Sequence, residues 1–161
     1  MNRLGRVFAL ALLVCGPALG ASVTIEELWL RTTAGGDPVP GRTGVVFREL
    51  SGTDASSRPL MHPPVINGLG EVVFRARSAR QSDNGDVAIG IYAKRPSLAM
   101  IRLVDTTLVS PGVPTFKVPD RPAGTVFTDF KAPLLNNAGD VVFFARFSGA
   151  AGSGSGFYST T

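Results

Sequence analysis

His62 is the one histidine in 161 residues, and that fact narrows the available chemistry. It stands in Met61-His62-Pro63-Pro64, a proline-bounded loop. A Ser-His-Asp triad needs His62 as its base, yet no Gly-x-Ser-x-Gly elbow accompanies it on a strand-to-helix turn. Gly152-Ser153-Gly154-Ser155-Gly156 shares those letters but reads as a flexible linker ahead of a strand. The only cysteine, Cys15, lies in an N-terminal apolar stretch. One histidine and no downstream cysteine cannot assemble the usual zinc or copper ligand sets, so no metal and no cofactor is expected. Glu71 and Asp140 occupy equivalent places in two similar segments, so they read as solvated turn residues, not a converging glycosidase pair. Asp83-Asn84-Gly85-Asp86 lacks the spacing and bidentate Glu of an EF-hand and reads as a hairpin tip. A secreted hydrolase is therefore the weakest of the functional readings.

Binding groups are easier to find. Arg75 and Arg77 are two residues apart, hence on one face of a strand, with Arg80 close by. They suit an anionic glycan or a phosphate; equally, they suit a charged strand end that discourages edge pairing. Trp29, Tyr92 and Tyr158 offer rings that stack on sugar faces and polar tips that hydrogen-bond, or else rings that pack between sheets. Nucleic acid is not an expected partner. The formal charge is +4, from 16 Lys and Arg against 12 Asp and Glu. Setting aside Arg3 and Arg6 leaves 14 against 12, a net +2, too small to steer toward phosphate backbones or acidic membranes.

The elements that carry these residues occur twice. Pro64-Val65-Ile66-Asn67-Gly68-Leu69-Gly70-Glu71-Val72-Val73-Phe74-Arg75-Ala76-Arg77 lies 69 residues before Pro133-Leu134-Leu135-Asn136-Asn137-Ala138-Gly139-Asp140-Val141-Val142-Phe143-Phe144-Ala145-Arg146, with eight of fourteen positions identical. Upstream, Gly44-Val45-Val46-Phe47 matches Gly124-Thr125-Val126-Phe127. Downstream, Gly90-Ile91-Tyr92-Ala93 matches Gly156-Phe157-Tyr158-Ser159. A weaker block pairs Leu28 to Thr33 with Arg102 to Thr107. In Val72-Phe74-Ala76 and Val141-Phe143-Ala145 the apolar residues fall every second position, the period of a strand. Nineteen Gly and twelve Pro punctuate short strands better than long helices. No later stretch has a sustained helical period. The expected fold is all-β, two repeated antiparallel, blade-like units, with a small β-sandwich as the alternative. Asn67 and Asn136 are expected to close Asx turns onto the backbone two residues ahead. Gly70 and Gly139 then take a positive φ and deliver the chain into the strand of Phe74 or Phe143.

The first twenty residues read as a secretory signal. Arg3 and Arg6 precede an apolar run of nine residues, Val7 to Cys15. Pro17 breaks it, and Ala18-Leu19-Gly20 supplies small residues at a cleavage site. The run is too short for a bilayer span of about 20 residues, and no later stretch is long enough. Residues 21–161 are expected to form one all-β repeat domain, with unit one over about 25–93 and unit two over about 99–161. Its expected destination is the periplasm, the medium or the cell surface. Without cysteine, such a domain is held by its core and its sheet hydrogen bonds.

The repeated Asn67-x-x-Gly70-x-x-Val73-Phe74 and Asn136-x-x-Gly139-x-x-Val142-Phe143 resemble the exported bacterial NxxGxxAF tandem-repeat proteins, also called choice-of-anchor repeat proteins. Gly36-Asp37-Pro38-Val39-Pro40-Gly41 is similar to the connector before the motif in that family, and the resemblance spans residues 25–161. It implies a β-propeller-like surface protein with no established activity. Departures are the two units, where more are usual, Val73 and Val142 in place of Ala, and the lack of a C-terminal sorting anchor. The repeat phase adds that Leu28-Trp29-Leu30, a unit-ending segment, completes the last unit. Two units are too few for a ring of four to eight blades. A homo-oligomer would supply the rest.

Overall fold

The computed structural model describes residues 37–49, 52–53, 59–60, 62–80, 86–110 and 113–160. The signal segment, Trp29 and the Leu28 to Thr33 block lie outside the described residues, as do Asp83, Asn84 and Gly85. The described chain is all-β. Its strands are β1 (Val45–Glu49), β2 (Gly52–Thr53), β3 (Pro59–Leu60), β4 (Val65–Ile66), β5 (Val72–Arg80), β6 (Asp86–Lys94) and β7 (Ile101–Asp105). There follow β8 (Leu108–Ser110), β9 (Val113–Pro114), β10 (Val126–Phe130), β11 (Leu134–Leu135), β12 (Val141–Gly149) and β13 (Gly152–Ser159).

Two antiparallel sheets dominate. The first runs β1-β5-β6-β7 with β4 alongside β5; the second joins β10, β11 and β13 to β12. The pairs β2-β3 and β8-β9 form small ribbons. Equivalent positions of the two units hold the same places: Val65 faces Val73 as Leu134 faces Val142, and Phe74 faces Tyr92 as Phe143 faces Tyr158. Even the bulge recurs, between Phe47 and Glu49 on β1 and between Phe127 and Asp129 on β10. A bulge bends and twists its strand, so both sheets curl at the same point.

Each sheet builds one aromatic triangle on one face. In the first, Phe47, Phe74 and Tyr92 meet with centroids 6.0, 4.8 and 5.8 Å apart. In the second, Phe127, Phe143 and Tyr158 meet at 6.4, 5.1 and 5.9 Å. Each has two edge-on contacts and one stacked pair, at 26° in one sheet and 25° in the other. The edge-on arrangement sets the positive rim of one ring against the negative face of the next. The sheets pack face to face. Val73, Ile91 and Ala93, on the side of the first sheet away from its triangle, share a core with Phe127, Phe130, Phe143, Ala145 and Phe147. The first triangle has its own core with Val39, Val45 and Ala76.

Strand pairing moves one boundary. β7 pairs with β6 through Gly90 and Asp105, Ile91 and Val104, so residues 101–105 belong to the first sheet, although the bound of about 99 for unit two includes them. The connection between β6 and β7 is short, and adjacent segments joined this way pair locally. Gly90 makes the pairing feasible, because a Cβ there would lie 2.8 Å from both Asp105 Cβ and Val104 O and 2.9 Å from the Tyr92 hydroxyl.

Phe143 reaches both sheets and is 4% exposed. Phe143→Ala is expected to lower unfolding stability by about 3–5 kcal/mol. Leu69→Ser, at a side chain 69% exposed, should change it by no more than about 0.5 kcal/mol. Urea unfolding monitored by tyrosine fluorescence measures both.

Candidate functional site

The polar groups of the chain converge on the junction between the two sheets, and the turns come first. Asn67 Oδ1 accepts the N–H groups of Leu69 and Glu71, both at 3.0 Å, while Gly70 N–H donates to Asn67 O at 3.1 Å. Asn136 Oδ1 accepts Ala138 and Asp140 N–H at 2.9 Å each, and Gly139 N–H donates to Asn136 O at 3.3 Å. Gly70 has φ 77° and Gly139 φ 90°, a region where a side chain on Cβ is strained. The expected Asx turns are present, each with one further N–H bound.

The two turns also touch. Asn67 Nδ2 donates to Asn136 O at 3.0 Å, and Gly68 N–H donates to Asn137 Oδ1 at 2.9 Å. Glu71 lies beneath them, so its expected solvated state is corrected: its side chain is 6% exposed and pairs with Arg95 Nε at 2.7 Å. The cause is the second turn, since a Cβ on Gly139 would stand 3.1 Å from Glu71 Oε2. Asp140 is half-buried and accepts Asn136 Nδ2 at 2.8 Å.

Arg75 is the second tie. Its side chain is 6% exposed. Nε donates to Phe130 O at 2.7 Å, and Nη2 donates to Asp129 Oδ1 at 3.1 Å. Lys131 Nζ lies 3.2 Å from Asp129 Oδ2. Arg75 therefore crosses from β5 to the end of β10 and is sealed between the sheets, not presented to a ligand. Arg77, two residues on, is half-buried. Burial would raise the Asp129 pKa, but hydrogen bonds from Arg75 and Lys131 and their charges bring it below the ordinary carboxylate value. His62 faces the same cluster. Burial first, then the charges of Arg75 and Lys131, lower its pKa, with Asp129 opposing. Its Nε2 and Arg75 Nη1 are both buried without a hydrogen-bond partner.

The aromatic candidates separate. Tyr92 is 0% exposed, so its ring packs and is closed to any sugar face. Burial, then the nearby Asp105 carboxylate, push its hydroxyl far above the ordinary tyrosine pKa. Tyr158 is half-buried in the second triangle, and burial raises its pKa as well. Trp29 lies outside the described residues. Sequence reasoning passed over Phe157, which is 74% exposed, and Arg121, whose guanidinium sits 4.6 Å from the Phe147 ring centroid. Arg121 and Phe147 line a shallow cleft of about 180 Å³ with Thr125, Ser153 and Ser155. Among the described residues no group of three or more His, Cys, Asp or Glu is placed to hold a metal ion.

A model of a family of unknown function, DUF7453, matches residues 28–160, and the chain belongs to that family. No curated protein and no solved structure matches it.

Two outcomes follow from the junction. Removing the Arg75 side chain leaves Phe130 O unsatisfied and Asp129 with Lys131 alone, so Arg75→Ala should cost about 1–3 kcal/mol in urea unfolding. His62 binds its proton less readily folded than unfolded. Its contribution is complete above the ordinary histidine value of 6.5 and fades as pH falls through that value toward the lowered folded one. The melting temperature should therefore drop between pH 7 and pH 5, and drop less in His62→Gln; equal slopes for both proteins would refute the assignment.

Proposed function

We propose that this DUF7453 member is an exported, non-enzymatic β-repeat protein with a surface-interaction or scaffolding role. One observation carries the reading. Of the side chains best equipped for chemistry, Arg75 and Asp129 are held in a hydrogen-bonded ion pair that ties one unit to the next, and Glu71 is paired with Arg95 under the two touching turns. Groups committed in this way are not available to a substrate, whereas the Phe157 face of the second sheet is open to a neighbour. The expected signal over residues 1–20 supports export. The resemblance to the NxxGxxAF repeat proteins supports a place at the cell surface and a propeller-like arrangement of units. No helix among the described residues is long and apolar enough to cross a membrane.

Glycan recognition loses its main support with Tyr92 sealed in the core. Tyr158 and the Arg121 cleft remain, without the repetition from unit to unit that motivated the idea.

The test is intact-mass spectrometry of the protein expressed from the full chain in a bacterium, after fractionation. Export predicts a product in the periplasm or medium shortened by the first 20 residues. Full-length product confined to the cytosol would overturn export. The non-enzymatic part is tested separately, by hydrolase substrate panels with Asp140→Asn as comparison. Turnover that disappears in that variant would overturn it.

A further inference from the structure

Unit one has a strand that unit two lacks among the described residues. In unit one, β6 has β5 on one side and β7 on the other. In unit two, β13 matches β6 and pairs with β12, and among the described residues no strand takes its outer edge. That edge is long and unguarded. Its eight residues, Gly152–Ser159, hold no charge and no proline, and their register with β12 runs without a bulge. Sheet edges in natural proteins are ordinarily shortened, bulged, charged or covered. Gly156 points to a cover. Its counterpart Gly90 must be glycine because β7 lies beside it: a Cβ there would stand 2.8 Å from both Asp105 Cβ and Val104 O. A Cβ on Gly156 would meet nothing closer than the Tyr158 hydroxyl at 3.6 Å, and its φ is not positive. The described residues thus give Gly156 no reason to be glycine, whereas a strand placed as β7 is would give it one.

We propose that the outer edge of β13 is the seat of residues 28–33 of the same chain, added as an antiparallel strand in the place that β7 holds on β6. The sequence supplies the occupant. Leu28 to Thr33 is the block that matches Arg102 to Thr107, and the family match begins at residue 28, so this segment is part of the domain the family shares. The pairing of β7 with β6 fixes the register: Arg31 stands opposite Gly156, Leu30 opposite Phe157 and Leu28 opposite Tyr158. Leu30 gives the exposed Phe157 the cross-strand apolar partner that Val104 gives Ile91. Thr32 takes the part of Thr106, whose Oγ1 accepts Ile89 N–H at 3.1 Å and whose N–H donates to Ile89 O at 3.0 Å. Ser155 stands in the place of Ile89. The tether is short. Asp37 sits at the edge of the first sheet, its carbonyl accepting Phe47 N–H at 3.0 Å. The Cα steps from Thr33 to Asp37 span up to about 14 Å, against about 10 Å between packed sheets. So close an attachment holds the segment at about millimolar effective concentration. This inference goes beyond a surface role: the N-terminal segment closes the sheet at the C-terminal strand and removes an edge on which other chains would pair.

The test uses protein expressed from the full chain, carrying Cys15→Ser with Leu30→Cys and Phe157→Cys, and oxidised by copper phenanthroline and dissolved oxygen. Residues directly opposite on paired antiparallel strands lie within disulfide reach. A disulfide inside one chain is expected. It should form at least about tenfold faster than in the chain with Leu30→Cys and Ser153→Cys, because Ser153 stands about 13 Å further along β13. A disulfide found only between chains, or equal rates for the two pairs, overturns the proposal. Hydrogen exchange of the unsubstituted chain is the second measurement, and it depends on no variant folding. The amides of Ser155 and Phe157, which this register turns toward the added strand, should exchange at least about tenfold more slowly than in an unstructured peptide. Exchange at the unstructured rate overturns the proposal. The intact-mass test of export keeps its own outcome in every case.

Discussion

A five-stranded sheet with apolar residues on both faces cannot cover itself, and the first sheet is of that kind. Val73, Ile91 and Ala93 point to one side; Phe74, Ala76 and Tyr92 point to the other. Burying both takes two layers of partners, because apolar area left in water forfeits about 25 cal/mol per Å². The second sheet covers the Val73 side, and the segment of Val39 with β1 contributes to the Phe74 side. Each unit on its own would leave one of these faces wet. This need for a neighbour makes the junction the centre of the molecule, and the polar contacts found there are consequences of it.

Close packing of sheets brings backbone groups and ionic side chains out of water along with the apolar ones, and each must be satisfied where it lies. The turns do this within themselves first. One asparagine oxygen takes two N–H groups, and the glycine three residues on accepts a φ that other residues resist. Turns closed so tightly present spare donors in a fixed direction, and Asn67 Nδ2 and Gly68 N–H use them on the next turn. Arg75 solves the corresponding problem at the end of β10. Its planar fork reaches a carbonyl and a carboxylate together, a task for which a lysine point charge is poorly shaped. Such a pair is weak evidence of net stabilisation against an apolar alternative. What it fixes is the orientation of one sheet on the other.

The parts legible from the sequence were those that repeat or alternate. The two strands through Phe74 and Phe143, their turns and their tyrosine partners all follow from local spacing, and local spacing determines which side of a strand a residue faces. It does not determine what lies on that side. Arg75 and Arg77 share a face and were equivalent by pattern, yet one is sealed under β10 and the other half-buried. The signal was present in the mismatch at the equivalent position: Phe144 replaces Arg75, which marks a site covered by a neighbour in one unit and differently placed in the other. Glu71 obeys the same rule. As a turn residue it should be wet, but the turn of another unit 69 residues away closes over it. The approximate bounds put residues 99–161 in unit two, whereas hydrogen bonding sets β7 beside β6 in the first sheet, because spacing gives the order of segments and pairing gives their neighbours.

Repetition also constrains how much function a buried residue can tell. Whatever is present in both units at equivalent positions, such as the aromatic triangles and the asparagine turns, meets a demand that both units share, and that demand is folding. Differences between the units carry the rest. Tyr92 and Tyr158 fall in the first class, each ring stacked on a phenylalanine of its own sheet, and for the fully buried Tyr92 packing leaves no sugar-facing surface. Phe157 against Ile91 falls in the second. Nothing in the strand geometry requires a phenylalanine there, since isoleucine serves the same register position in unit one. An exposed aromatic also weakens solubility. Phe157 sits 74% in water beside Phe144, edge-on at 5.3 Å, whereas Ile91 at the same register position is covered by the second sheet.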